Sequence, residues 1–173
     1  MNILVTGGLG LIGHHVVNKL ESLGHDVVIT DTRTTYGIIP QDEIDYLMDE
    51  RLKKIKTNYI YKIDISNGDS IDWLIQKHQP AIIIHMASFP GQKVVNANPR
   101  LGAQTMMEGL LNLCEASKKH NVKKFIYISS SMVYGDFTDD VTEDYDCKPQ
   151  GQYGIMKLAG EHLVKDYSRR NCF

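Results

Sequence analysis

The chain has few cysteines, almost no excess charge and no long apolar run, and each shortage excludes a class of protein. Lys and Arg number 19 and Asp and Glu number 21 among 173 residues, so the net charge of −2 argues against a nucleic-acid-binding protein, which needs surplus basic residues. No apolar run approaches the roughly 18 residues of a membrane span. The three cysteines lack C-x-x-C spacing, which disfavours a disulfide framework and a metal site.

The beginning of the chain also lacks the features of a secretory signal. Residues 1–7 contain no basic region and no small-residue cleavage site, so we expect a cytoplasmic protein. Hydrophobic residues make up 42% and charged residues 23% of the sequence, which is typical of a globular domain. We therefore expect residues 1–173 to form one domain.

Strand-like apolar runs alternate with helical periodicity along the chain, which predicts a parallel sheet with helices on both faces. The predicted strands are 3–5, 27–29, 59–65, 81–85 and 125–129, and the predicted helices are 11–23, 69–78, 98–120 and 153–169. The irregular, acidic region 37–56 is interpreted as a solvated helix. We expect an α/β fold, a doubly wound sheet in three α/β/α layers with strand order 3-2-1-4-5.

A glycine-rich turn, residues 6–13, follows the first predicted strand and opens the first helix. Within it, residues 8, 10 and 13 fit G-x-G-x-x-G, and residues 7, 10 and 13 fit a G-x-x-G-x-x-G variant. Such glycines let the backbone approach a diphosphate, and the helix N-terminus then offers free N–H groups. The turn predicts a Rossmann-like dinucleotide site at Gly7, Gly10, Leu11, Ile12 and Gly13. The alternative is a glycine-rich turn without function.

The second predicted strand is followed by an acidic residue, Asp31. Its carboxylate could accept both ribose hydroxyls of an adenosine, and it would repel a 2′-phosphate. These properties favour NAD as the cofactor. Arg33 lies two residues further on and could bind a phosphate, so NADP stays open as the less favoured cofactor.

The last predicted helix begins with a Y-x-x-x-K motif formed by Tyr153 and Lys157. Residues four apart share one helix face, so the phenol and the ammonium can reach one site. The ammonium would lower the pKa of the tyrosine, whose phenolate could take a proton from a sugar hydroxyl. The three serines 129–131 end the fifth strand, at the sheet edge where ligands bind in such folds. The alternatives are a surface Tyr/Lys pair and a serine turn that caps the next segment.

These motifs together resemble the N-terminal, nucleotide-binding part of the extended short-chain dehydrogenase/reductase family, the NAD-dependent sugar-nucleotide epimerases and dehydratases of the UDP-glucose 4-epimerase type. The matching pieces run in order over nearly the whole chain: 6–13, Asp31, 64–65, 85–88, 129–135 and 153–161. The resemblance implies that a C-terminal substrate domain, which family members carry, is absent from these 173 residues.

The resemblance also implies roles for single residues. Asp64 and Ile65 would contact the adenine, and Ala87 and Ser88 would line the cofactor path. Counting back three from Val133 places the catalytic hydroxyl on Ser130, beside the Tyr153 base and Lys157. The implied reaction is that of an epimerase on a nucleotide sugar: a hydride passes from a sugar carbon to NAD and returns to the other face. No metal is implied.

Two departures from the family pattern affect the reaction and the cofactor contacts that the resemblance implies. The acidic residues that dehydratases and decarboxylases carry before their Val-Tyr-Gly segment are Ser131 and Met132 here, which argues against both reactions. The Asn that the long helix usually places near the cofactor is Met106. Two alternatives therefore stay open: a non-catalytic NAD(H)-binding module, or one half of a split epimerase whose C-terminal half is separately encoded.

The 98–120 helix has a broad apolar face, which includes Leu110 and is compatible with a contact between two subunits. Members of the family commonly pair this helix and the Tyr153 helix with those of a second subunit. We therefore expect a homodimer through 98–120 and 153–169. Neither a nucleic acid nor a membrane is expected as a partner.

Overall fold

The computed structural model describes residues 1–136 and 140–173, and in them five parallel strands form one sheet. The strands are β1 (Asn2–Thr6), β2 (Asp26–Thr30), β3 (Ile60–Tyr61), β4 (Ile82–His85) and β5 (Lys124–Tyr127). Their order is β3-β2-β1-β4-β5, which confirms the predicted fold class and strand order. Thr6 ends β1 opposite Thr30 on one side and His85 on the other, so three strands end together at one edge of the sheet.

Helices cover both faces of this sheet and also extend its carboxyl edge. They are α1 (Gly13–Ser22), α2 (Gln41–Leu52), α3 (Gly68–His78), α4 (Gln92–Ala97), α5 (Pro99–Ala103), α6 (Gly109–Lys119) and α7 (Gly151–Arg169). A π-helical turn (Gln104–Glu108) joins α5 to α6, and a 3-10 turn (Ser131–Val133) follows β5. The predicted 98–120 helix is therefore continuous from α5 to α6, with the π-helical turn inside it.

Two apolar cores lie on opposite faces because strand side chains alternate between faces. On β1, Leu4 enters one core, and Ile3 and Val5 enter the other. Helices α3, α6 and α7 cover the first core, and α1 and α2 cover the second. This arrangement is the predicted three-layer α/β/α architecture. A smaller third cluster, made of Phe89, Val95 and Met106, lies at the carboxyl edge of the sheet.

Two local predictions were less accurate than the overall fold. The third strand is limited to Ile60–Tyr61, whereas the apolar pattern predicts 59–65. The chain leaves the sheet because the Asp64 side chain accepts hydrogen bonds from the N–H and the hydroxyl of Ser66, which forms a turn. Helix α4 was not predicted, since its six residues are too few to show a period.

The apolar face of the 98–120 helix points mainly into its own subunit. Leu110 is fully buried in the first core, together with Leu113 and Cys114. Leu110 therefore does not reach a second subunit, because the sheet of the same chain covers it. Leu101 and Leu111 are the large apolar side chains of this helix that are exposed within the described residues.

Within 1–136 and 140–173, no helix is both long enough and apolar enough to cross a membrane. The same residues contain no group of three or more His, Cys, Asp or Glu side chains that could hold a metal ion.

The close packing of α7 on β5 generates a stability prediction at Gly160. A Cβ atom there would lie 2.4 Å from the Tyr127 phenol oxygen and 3.1 Å from Leu110 Cδ2. We expect Gly160→Ala to lower the free energy of unfolding by about 1–3 kcal/mol, since overpacking outweighs the helix preference of alanine. Urea unfolding followed by circular dichroism measures this change.

Gly102→Ala is the matched control, because the atoms nearest to its Cβ would belong to the Val95 side chain, at 3.3 Å or more. This variant should keep or raise the stability. Equal unfolding midpoints for the two variants would contradict the close contact between α7 and β5.

Candidate functional site

The glycine turn is fixed by contacts that leave no room for a side chain. Gly7 has a φ of +68°, and a Cβ on it would lie 2.8 Å from the backbone N of Ala87. A Cβ on Gly13 would lie 2.1 Å from the carbonyl oxygen of Gly7. Both positions therefore require glycine. The turn then leads directly into α1, whose first N–H groups have no side-chain cap.

A buried hydroxyl ties the end of β1 to the end of β4. The Thr6 oxygen accepts hydrogen bonds from the N–H groups of Met86 and Ala87, each at 3.2 Å. Its own proton is then free for Nδ1 of His85, 2.7 Å away. Burial, and after it the charge of Lys157, lowers the pKa of His85 to about 3. His85 is therefore a neutral structural histidine.

Asp31 binds the glycine turn through its carboxylate. One oxygen accepts from the backbone N–H of Leu9 at 3.0 Å, and the other accepts from the N–H of Arg33 at 2.8 Å. Arg51 of α2 donates to the carbonyl oxygen of Leu9 at 2.7 Å. Both backbone groups of Leu9 are therefore held by charged side chains. The role of Arg51 was missed because no sequence signal links residue 51 to the turn.

A cleft of about 470 Å³ opens at this edge of the sheet, between the glycine turn, the β2–α2 loop and the end of β4. Most residues of the predicted cofactor site line it: Gly7, Gly10, Leu11, Asp31, Asp64, Ile65, Ala87 and Ser88. Ile12 and Gly13 lie beside it at the start of α1, and Ser130, Tyr153 and Lys157 lie outside its lining.

Tyr36, Arg51 and Thr105 are among the lining residues that were not predicted. Tyr36 lies in the β2–α2 loop with a φ of +56°, and its ring contacts that of Phe89 with centroids 4.0 Å apart. Thr105 lies in the π-helical turn. A loop residue in a left-handed conformation and a π-helical turn leave no period in the sequence, so pattern analysis could not find them.

The end of β5 is attached to α7 at two points. The Nζ atom of Lys157 donates to the Ile128 carbonyl at 2.9 Å, and the Ser129 hydroxyl donates to Glu161 at 2.6 Å. Lys157 and Glu161 are one helical turn apart, so one face of α7 holds two consecutive residues of the strand end. The next residue, Ser130, accepts from the Met132 N–H at 3.3 Å.

Tyr153 and Lys157 lie on the same side of α7, as the motif predicts. The Nζ atom of Lys157 is 5.9 Å from the Tyr153 ring centroid and 5.1 Å from that of Tyr127. Tyr153 also packs on the third cluster, which contains Phe89 and Met106. Only 4% of Lys157 is exposed, and burial lowers its pKa from 10.5 to about 8.

Comparison with known proteins agrees with this geometry. The model of the NAD dependent epimerase/dehydratase family matches residues 3–173. Protein CapI of Staphylococcus aureus is 32% identical over 172 residues, an alignment that covers 97% of this chain and 50% of that protein.

Two solved structures show a similar fold. The UDP-glucose 4-epimerase of Thermotoga maritima, solved with UDP-glucose, matches with a TM-score of 0.82 and 29% identity over 98% of this chain and 52% of that one. The UDP-glucuronic acid 4-epimerase of Bacillus cereus, in complex with UDP-glucuronic acid and NAD, matches with a TM-score of 0.81 and 30% identity, with the same coverage. The chain spans about half the length of the curated relatives it matches.

The buried lysine predicts a pH dependence of stability. The pKa of Lys157 is lower in the folded chain, so the unfolded chain binds more protons between about pH 8 and 10.5, and the Lys157 contribution to stability rises across that window. The full effect is on the order of 3 kcal/mol. Lys157→Met should lack it, so the unfolding free energy of wild type relative to this variant should increase from pH 7.5 to 10.

Urea unfolding at several pH values measures that difference, in which other titrating groups cancel. Lys165→Met, an exposed position on α7, is the control and should follow the wild-type pH profile. A wild-type minus Lys157→Met difference that stays constant with pH would mean that Lys157 titrates as an ordinary lysine.

Proposed function

The chain belongs to the NAD dependent epimerase/dehydratase family, and from this membership we propose that it binds NAD in the cleft beside the glycine turn and contributes to the epimerisation of a nucleotide sugar. The observation that carries the proposal is the placement of Tyr153 and Lys157 on one face of α7, next to the serine-bearing end of β5. Relatives that match over the same residues include epimerases of UDP-sugars.

The residues of the cleft fit a dinucleotide. The glycine turn has no side chains where a diphosphate would approach, and the α1 N-terminus supplies uncapped N–H groups. Asp31 lies at the end of β2 with further lone pairs for ribose hydroxyls. The Ser88 hydroxyl oxygen is buried and has no hydrogen-bond partner among the described residues, so it is available to a ligand. NAD is favoured over NADP because Asp31 would repel a 2′-phosphate.

The chain's own residues would move the proton of the reaction. NAD, when bound, supplies the acceptor for a hydride from the sugar carbon. Tyr153, as the phenolate, takes the proton of the sugar hydroxyl and is the general base. The Lys157 ammonium favours the phenolate electrostatically and is fixed in place by the Ile128 carbonyl. The Ser130 oxygen accepts from Met132, so its proton is free for the reacting oxygen.

The homodimer through the 98–120 and 153–169 helices, and a separately encoded C-terminal half, both stay predictions. Because Leu110 is buried in its own subunit, a dimer on this face would use other apolar side chains. Among the described residues the exposed candidates are Leu101 (42%) and Leu111 (39%) on the first helix and Ile155 (53%) on the second.

The cofactor assignment predicts the effect of Asp31→Ala. Loss of charge-assisted hydrogen bonds to ribose should weaken NAD binding by about 1–3 kcal/mol, or roughly 5- to 150-fold, while NADP should lose less or gain. Isothermal titration calorimetry with each nucleotide measures both affinities. Asp26→Ala, at the exposed start of the same strand, is the control. Unchanged NAD affinity in Asp31→Ala would remove Asp31 from the site.

The reaction itself is tested by following the interconversion of UDP-glucose and UDP-galactose when either is added to the chain with NAD, because the hydride returns to the sugar and no net reduction of NAD is expected. We expect interconversion, and we expect Tyr153→Phe to abolish it while leaving NAD binding within a few fold. Tyr46→Phe, on the exposed surface of α2, is the control. Wild-type protein that binds NAD but converts neither sugar nucleotide would favour the non-catalytic module instead.

A further inference from the structure

The Lys157 ammonium lies where the protein offers it few polar partners. The side chain is almost fully buried, and within the described residues its Nζ atom makes one hydrogen bond, to the Ile128 carbonyl at 2.9 Å. An ammonium group has three N–H donors, and a buried charge is unfavourable unless it is compensated. The charge that the proposed reaction requires at Lys157 therefore needs a further source of stabilisation.

The titratable groups around Lys157 supply no negative charge that binds it. His85, on β4, is neutral because burial lowers its pKa to about 3. Glu161, one turn further along α7, accepts a hydrogen bond from the Ser129 hydroxyl. Among the described residues, neither Glu161 nor any other carboxylate forms a salt bridge with Lys157. The compensation must therefore come from a group without a formal charge.

Two aromatic rings lie close to this ammonium. The Nζ atom of Lys157 is over the Tyr127 ring, 5.1 Å from its centroid, and over the Tyr153 ring at 5.9 Å. A cation within about 6 Å of a ring face is attracted by the ring electrons, and the attraction is stronger where water is excluded. Tyr153 is the base of the proposed reaction. Tyr127 is thus the ring that contacts the ammonium without itself reacting.

The Tyr127 ring is fixed by its neighbours and stays uncharged. Its phenol oxygen packs against α7 at Gly160, and its ring centroid is 5.7 Å from that of His85 on β4. Burial, and after it the negative charges that Tyr153 and Glu161 can carry, raises the pKa of Tyr127. The phenol therefore keeps its proton at the pH where Lys157 loses its own, so the ring and the ammonium do not form an ion pair.

We propose that Tyr127 is a positioning residue for the reaction, because its ring holds Lys157 in the charged form next to Tyr153. This assignment rests on the proposed function, in which the ammonium favours the Tyr153 phenolate. Tyr127 is not among the residues that line the cleft, so it acts through Lys157 and does not touch the cofactor there. One strand end then supplies both contacts of the ammonium, the ring of Tyr127 and the carbonyl of Ile128.

The test varies the ring at residue 127 and measures the titration of Lys157 by NMR of ¹³C-labelled lysine, without ligand. The Lys157 signal is assigned by its loss in Lys157→Met. Tyr127→Phe keeps the ring and should leave the pKa of Lys157 unchanged. Trifluorophenylalanine in place of Tyr127 keeps the shape of a phenylalanine but withdraws electrons from the ring face, so it should lower that pKa by about 0.5–1 pH unit. Tyr127→Leu, which has no ring, should lower it at least as far.

Phe125→Leu is the matched control, because it removes a buried ring from the same strand, two residues before Tyr127. Lys157 should titrate in this variant as in wild type, and a thermal melt checks that each variant folds. A Lys157 pKa that is the same with trifluorophenylalanine as with Tyr127→Phe would overturn the proposal. An equal shift in Phe125→Leu would also overturn it, since loosened packing would then explain the change.

The interconversion of UDP-glucose and UDP-galactose tests the consequence for the reaction. The alkaline limb of its pH profile should move to lower pH with trifluorophenylalanine in place of Tyr127, by the amount that NMR measures for Lys157. A limb that stays in place while the Lys157 titration moves would overturn the positioning role. A wild-type chain that converts neither sugar nucleotide would overturn the proposed function, whereas the NMR titration still decides whether the ring stabilises the ammonium.

Discussion

The site depends on one buried hydroxyl, that of Thr6, which fixes the carboxyl ends of the two central strands relative to each other. It accepts from two successive N–H groups after β4 and donates to His85, so all its hydrogen-bonding capacity is used inside the protein. The backbone after β4 is thereby held against Gly7 at a distance that excludes a Cβ. The glycine turn and the segment that contains Ser88 are consequently held together on one side of the cleft.

A second constraint holds the side of the site that contains Tyr153, and it reduces the stability of the fold. The Lys157 ammonium is almost fully buried and has a backbone carbonyl, not a carboxylate, as its hydrogen-bond partner. Burial makes the charged form of Lys157 unfavourable, and this is why its pKa is lowered. The nearest carboxylate on the same helix face, Glu161, is bonded to Ser129 instead. The helix therefore positions a destabilised cation beside Tyr153, an arrangement typical of functional sites.

The parts of the molecule that could be predicted from sequence are those with a period or a local motif. Alternation of apolar runs and helical patterns predicted the parallel sheet with helices on both faces, and its strand order is that of the Rossmann-like fold. The glycine spacing and the Y-x-x-x-K motif predicted residues that the fold places at the cleft and on one face of α7, and the roles of these residues stay predictions. It was harder to predict what covers the apolar face of the 98–120 helix. Leu110 belongs to this face, which could contact a second subunit or the sheet of its own chain, and only the packing of the chain decides between them. Arg51 and Tyr36 were missed because each reaches the site through tertiary contacts.

The π-helical turn shows why a residue-by-residue comparison of motifs can misjudge a site. Judged by alignment, Met106 removes a polar group from the cofactor side of the long helix. In the folded chain the wider turn rotates residue 105 into the cleft and residue 106 into the apolar cluster under Tyr153. Two neighbouring residues thus face different surroundings, Thr105 the cleft and Met106 the apolar cluster. The wider turn, and not residue number alone, decides which side chain of this helix faces the cleft.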